Sequence, residues 1–183
     1  MSKSPLNLES CVSALALAAA AMLSACGGGD DAGTGAGSGS GGASLTLSAA
    51  TPATHNTTVD LSTTVNKGNS ARAADSFSSV AYCEVFWETA NGANGKKYAL
   101  QVYFRQGDKA ALHVSVLDAT PAAAFWGAFQ NNNGNPITGI TVDTTARTLT
   151  FASKAITGSS GEAVTLTGTV SFPANSGTPA CGA

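Results

Sequence analysis

VAYCEVFWETANGANGKKYALQVYFRQGDKAALHVSV, residues 80–116, is the stretch whose reading decides the fold. Apolar and polar residues alternate along it with a period of two, the repeat of a strand with two different faces and not the 3.6-residue repeat of a helix. From Val80 to Glu88 one face carries Ala81, Cys83, Val85 and Trp87, and the other carries Tyr82, Glu84 and Phe86. Both faces hold apolar residues, which predicts a central strand. Asn91-Gly92 and Asn94-Gly95 supply the positive backbone angles of a turn. Lys97 to Arg105 then turns Tyr98, Leu100, Val102 and Phe104 toward a core and Ala99, Gln101 and Tyr103 away from it. After Gln106-Gly107-Asp108-Lys109, Leu112, Val114 and Val116 point inward and Ala111, His113 and Ser115 outward. Three strands joined by short turns predict an antiparallel meander.

Outward from this meander the same period recurs. On the amino-terminal side Leu45 and Leu47 alternate with polar residues, and Val59, Leu61, Thr63 and Val65 predict a second strand, closed by Lys67-Gly68-Asn69-Ser70 and a polar loop to about Ser79. On the carboxy-terminal side Thr120-Pro121 has the form of a helix start, and Ala122, Phe125, Trp126 and Phe129 fit one face of a short helix lying over the core. Ile137–Val142 and Thr148–Ile156 flank a hairpin loop. The last strand carries Val164, Leu166, Gly168, Val170 and Phe172 on its inner face and Thr165, Thr167, Thr169 and Ser171 on its outer face. Gly168 in that apolar row predicts a bulge or a large neighbour in its place. The whole reads as all-β: an antiparallel β-sandwich of about eight short strands with one short helix. A small closed β-barrel is the alternative, because both architectures need the same inside and outside alternation.

Residues 43–183 hold eight acidic and eight basic residues, scattered along the chain. That balance gives no electrostatic footprint for nucleic acid and no basic patch for anionic lipid. About 140 residues is the size of one domain with one core.

Leu23-Ser24-Ala25-Cys26 stands after Lys3 and an apolar run from Val12 to Met22, and before a tract from Gly27 to Gly42 made almost wholly of Gly, Ser, Ala and Thr. A charged start, an apolar run and small residues form the order of a secretory signal, and the run is shorter than the roughly 20 residues that span a bilayer. Leu23–Cys26 resembles the lipobox of bacterial lipoprotein precursors, a resemblance that covers about the first 26 residues. It implies that residues 1–25 are a signal peptide removed on export. It also implies that Cys26 becomes the first residue and carries a diacylglycerol thioether and an amine-linked acyl chain such as palmitate. The membrane is then a partner through that lipid. Gly27 stands where an aspartate retains some lipoproteins at the inner membrane, so the expected location is the cell envelope, at the outer membrane. Residues 26–42 become a lipidated cysteine and a flexible tether, since such a composition cannot bury enough apolar surface to order itself. Of four cysteines, Cys11 leaves with the signal and Cys26 is lipidated, so Cys83 and Cys181 are expected to form a disulfide in that oxidising compartment.

No catalytic constellation is legible: there is no Gly-x-Ser-x-Gly elbow and no second histidine at metal-ligand spacing from His55 or His113, both of which read as solvated surface residues. Glu84 and Glu88 share a face, but four residues of strand separate them by roughly 13 Å, beyond the carboxylate spacing of glycosidases. The Asn131–Asn135 loop lacks the acidic ligands that calcium favours. No cofactor and no metal site are expected. Trp126, Phe125, Trp87 and Tyr103 could build a stacking platform or apolar pocket for a ligand wherever they face outward. The leading expectation is a lipid-anchored, non-enzymatic β-domain that binds an envelope glycan, lipid or protein. The alternatives are a periplasmic hydrolase or carbohydrate-active enzyme pairing His113 with Glu84, Glu88 or Asp118, and a barrel that carries an apolar ligand.

Overall fold

Tyr82–Gly92 (β4), Lys97–Arg105 (β5) and Ala111–Asp118 (β6) form the expected antiparallel meander in the computed structural model, which describes residues 44–122 and 126–183. The expectations for the leader, Cys26, the tether and Phe125 concern residues outside that set. Seven further strands complete the sheet: Ser44–Thr51 (β1), Thr57–Asp60 (β2), Lys67–Arg72 (β3), Gly127–Asn131 (β7), Ile140–Asp143 (β8), Thr148–Thr157 (β9) and Ala163–Ser171 (β10). Hydrogen-bonded neighbours run β1-β2-β4-β5-β6-β7-β9-β10, and β10 pairs back with β1. Every pairing is antiparallel, and the pairing of β10 with β1 closes the sheet on itself as an eight-strand barrel, the closed form of the all-β architecture. Closure pairs the edges of β1 and β10 that an open sheet would leave free.

Eight strands enclose a lumen just wide enough for side chains to fill. Leu45, Leu47, Val59, Val85, Trp87, Tyr98, Val102, Phe104, Leu149, Phe151 and Leu166 fill it, each nearly inaccessible to solvent. Each large apolar side chain so buried contributes about 1.5–3 kcal/mol. The inward set of β5 and most of that of β10 are therefore the ones the alternation predicts. A bulge between Leu166 and Gly168 shifts the register against β9. Gly168 adopts φ +140°, and a Cβ there would stand 3.0 Å from the Ser44 carbonyl oxygen on β1, so both the backbone angle and the close approach call for glycine.

Three local expectations are corrected. The strand from Val59 to Val65 ends at Asp60, because the Asp60 carboxylate accepts from the Ser62 N–H (2.9 Å) and hydroxyl (2.6 Å) and turns the chain, leaving Val65 almost fully exposed. Lys67–Arg72, read as turn and loop, is β3, which continues along the edge of β4 that β2 leaves free. The Phe86 ring lies over Gly68 there, 2.5 Å from where a Cβ would be. Third, Gly127–Asn131 is a strand and not part of a helix: Trp126 is buried, whereas Phe129 points outward at 46 % exposure. Asp118 Oδ1 accepts the Thr120 N–H, and Thr120 Oγ1 accepts the Lys97 N–H, so the Thr120 hydroxyl serves the sheet. Helix among the described residues is limited to two single 3-10 turns, Ala53–His55 and Pro179–Cys181.

The two ends of β5 mark the two ends of the barrel. At the Tyr98 end, His55 stacks on Trp126 (centroids 4.0 Å, planes 10° apart), its Nδ1 lies 3.2 Å from the Tyr98 hydroxyl, and Trp126 Nε1 donates to the Thr51 carbonyl at 3.0 Å. His55 is 3 % exposed, so the expectation of a solvated histidine is corrected: stacking and a hydrogen bond make it part of the plug. At the Phe104 end the chain returns after β10, with Phe172 6.1 Å from Phe104. The Cys83–Cys181 disulfide fixes this tail to the interior of β4. Asn69 Nδ2 donates to the carbonyls of Pro173 (3.1 Å) and Cys181, and Lys109 Nζ donates to that of Ala180 at 2.8 Å.

Candidate binding face

The outer surface of the meander gathers the chemistry. Register aligns Ser70, Glu84, Tyr103, His113 and Asn131 in one row across β3, β4, β5, β6 and β7. Beside it run Arg72, Tyr82 and Arg105, and on the other side Gly68, Phe86, Gln101, Ser115 and Phe129. Alternation places all of them away from the lumen.

Glu84 is the polar centre of this face. Its Oε2 accepts from Arg72 Nε (2.8 Å) and Nη2 (2.5 Å), and its Oε1 accepts from Gln101 Nε2 at 2.7 Å. Next to it the rings of Tyr82 and Tyr103 lie 5.3 Å apart, and Tyr103 lies 4.8 Å from His113 at 30°. The segment 73–81 crosses over them. Phe77 meets Tyr103 edge-on (4.8 Å, 87°) and also touches Tyr82 (5.6 Å) and His113 (5.8 Å). Asp75 shapes that segment: Oδ1 accepts the Phe77 and Ser78 N–H groups at 2.9 and 3.1 Å, and Oδ2 accepts the Tyr82 hydroxyl at 2.9 Å.

These contacts set the charge states. Backbone N–H bonds from Ser78, then the Tyr82 hydroxyl, hold the Asp75 carboxyl below its ordinary range. Burial, followed by the bond to Asp75, pushes the Tyr82 phenol up to about 12. Burial also raises Tyr103, with Glu84 adding to it. His113 is driven down to about 4 by burial, which outweighs the opposing pull of Glu84, and its Nδ1 is buried with no hydrogen-bond partner. At neutral pH it is an uncharged ring.

Of the four aromatic residues singled out from sequence as a ligand platform, Tyr103 lies on this face. Trp87 is lumen core and Trp126 plugs the barrel end, each packed inward where it contributes most to stability, and Phe125 lies outside the described residues. His113 faces outward as expected but is half-buried, with Phe77 against its ring and its Nδ1 shielded from solvent. Among its supposed acid partners, Glu84 is two strands away in the same row, roughly 10 Å at the backbone, and is already engaged by Arg72 and Gln101. Glu88 accepts a bond from Asn66. Asp118 is paired with Lys96 at 3.1 Å; burial pushes its carboxyl up, but Thr120 and Lys96 hold it below the ordinary range. The Asn-rich loop spends its amides on itself, Asn131 Oδ1 accepting from the Asn133 N–H and Asn135 Nδ2 donating to the Asn132 carbonyl. Among the described residues no group of three or more His, Cys, Asp or Glu is placed to hold a metal ion.

Sequence reasoning missed Phe77, Asp75 and Arg72, because the segment that holds the first two has no periodic pattern. The signal present is Asp75 followed by Phe77 and Ser78, an aspartate whose carboxylate can close a turn on the N–H groups two and three residues on. Comparison with protein-family models, curated proteins and solved structures finds no match to this chain.

Proposed function

We propose that this chain is a bacterial envelope lipoprotein, held at the outer membrane by lipid on Cys26, whose barrel is non-enzymatic and binds an envelope glycan on the outer face of β4–β6. The observation that carries the binding reading is the row in which Tyr103 stands between Glu84 and His113, with Arg72 and Gln101 held around Glu84. Sugar rings pack their C–H faces on aromatic rings, while their hydroxyls bond to carboxylate, amide and guanidinium groups. The lumen offers less: Trp87, Tyr98, Phe104 and Phe151 occupy it, and an apolar cargo would have to displace them. The row also favours binding over hydrolysis, since His113 and Glu84 have Tyr103 between them. The lipobox-like Leu23–Cys26 supports the anchor, and two acyl signals give the stable attachment that one chain does not.

The test is a thermal-shift panel on the intact protein with peptidoglycan fragments, other envelope glycans and lipids. A glycan at 100 times its Kd stabilises by about 2.7 kcal/mol, and Tyr103→Ala abolishes that shift. A panel in which no glycan shifts the protein, or a shift that survives Tyr103→Ala, contradicts the proposal. A shift by lipid alone reassigns the ligand.

A further inference from the structure

We infer that residues 73–81 form a proton-released lid: protonating His113 lifts Phe77 off the outer face and opens Tyr82, Tyr103 and His113 to a ligand. The inference concerns regulation of the binding face and takes its purpose, though not its mechanics, from that reading.

Gln106 fixes both ends of the segment. Its side-chain amide donates to the Arg72 carbonyl at 3.1 Å, and its backbone N–H donates to the Ala81 carbonyl at 3.1 Å. Most bonds between those hinges are internal: Asp75 to the Phe77 and Ser78 N–H groups, Asp75 N–H to the Ser78 carbonyl (2.8 Å), and Ser78 hydroxyl to the Val80 carbonyl (2.9 Å). They keep the segment's shape whether it is docked or not. Docking itself rests on the bond from Tyr82 to Asp75, on the three ring contacts of Phe77 and on Ser78 packing beside Gly134.

One of the rings beneath Phe77, His113, can change charge just below neutral pH once it is uncovered. Neutral His113 tolerates a buried, unpartnered Nδ1, because that atom can be the bare lone pair of the ring. A proton there makes a buried cationic donor with no acceptor, which is costly until it reaches water. The charged and titratable groups facing it are Tyr82 and Glu84 from β4, Tyr103 and Arg105 from β5, Arg72 from β3 and Asp75 from the lid; Asn131 faces it from β7 without charge. Glu84 is the one anion in the row, and Arg72 and Gln101 already share its two oxygens. Asp75, held below the ordinary carboxyl range, stays charged while His113 titrates, so the lid keeps its internal shape. The closed state holds His113 at about 4, and an open lid returns it toward its ordinary 6.5. The open form therefore takes up the proton first, and acid favours opening. At pH 5 the two values correspond to an open-to-closed ratio about 20-fold above that at pH 7.

Hydrogen exchange read by mass spectrometry on the intact protein, normalised for intrinsic rates, tests this at about pH 7 and pH 5. Opening of residues 73–81 rises about 20-fold in the native chain and stays level in His113→Gln. No rise, or an equal rise in the variant, overturns the lid. Should His113→Gln fail to fold, Phe77→Ala followed by NMR titration of His113 decides: the imidazole moves up toward 6.5, and an unmoved value overturns the inference. No ligand enters either experiment, so their failure removes the lid and leaves the glycan panel to judge the binding face.

Discussion

Replacing Cys83 and Cys181 together by alanine is expected to remove about 4 kcal/mol of stability. The disulfide joins residues 98 positions apart, spanning most of the barrel. A cross-link closing a loop of that length lowers the entropy of the unfolded chain by an amount worth about 4.7 kcal/mol at 25 °C. In the folded protein the tail keeps other holds: Asn69 on Pro173, Lys109 on Ala180, and Phe172 against Phe104. The native state therefore loses little, and the effect falls on the unfolded chain. For a domain near 140 residues each kcal/mol moves Tm by about 4 °C, so the midpoint should drop by roughly 15 °C. Urea unfolding followed by the fluorescence of buried Trp87 and Trp126 measures it, with reduced native protein as a second comparison. A loss below about 1 kcal/mol at unchanged m-value would refute the reasoning.

Three further outcomes are expected. Gly168→Ala meets both a φ of +140° and the Ser44 carbonyl at 3.0 Å, and should cost about 1–3 kcal/mol in urea unfolding, whereas Gly107→Ala, with open space around it, should cost under about 1 kcal/mol. Trp126→Ala removes the ring stacked on His55 and the bond to Thr51, and should cost about 3–5 kcal/mol without altering glycan binding, because Trp126 serves the barrel end; a binding defect with stability intact would return it to the site. His113 has a lowered folded value, so its contribution is present above pH 6.5 and is lost as pH falls toward about 4. That is a fall of about 3 kcal/mol in ΔG of unfolding, which a His113→Gln variant should not show.

How far the sequence carries depends on which physics each element uses. Tyr98, Leu100, Val102 and Phe104 were legible because burial on one face of a strand writes a period of two into the chain. β3 was not: Lys67–Arg72 has no apolar residue to alternate until Ala71, and it pairs because β4 presents a free edge and Phe86 covers Gly68. Trp126 and Phe129 fit a helical spacing equally well, and only the pairing of Gly127–Asn131 with β6 chooses the strand. The same limit governs the site. Tyr103 could be placed on the outer face, but its neighbours Phe77 and Arg72 arrive from a loop and a strand without pattern, and His55 reads as a turn residue until Trp126 is seen to stack on it. Closure of the sheet follows from β10 reaching β1, a contact between the two ends of the domain that alternation within each strand does not encode.

The anchor is the central claim, and intact-mass analysis of membrane and soluble fractions from bacteria expressing the native chain or Cys26→Ser tests it most directly. The account predicts that the native protein lies in the membrane fraction, starts at Cys26 and carries the mass of diacylglycerol plus an acyl chain, while Cys26→Ser is neither cut at that point nor lipidated and leaves the membrane. A native chain that keeps residues 1–25 without added lipid, or a Cys26→Ser variant that partitions like it, would contradict the account.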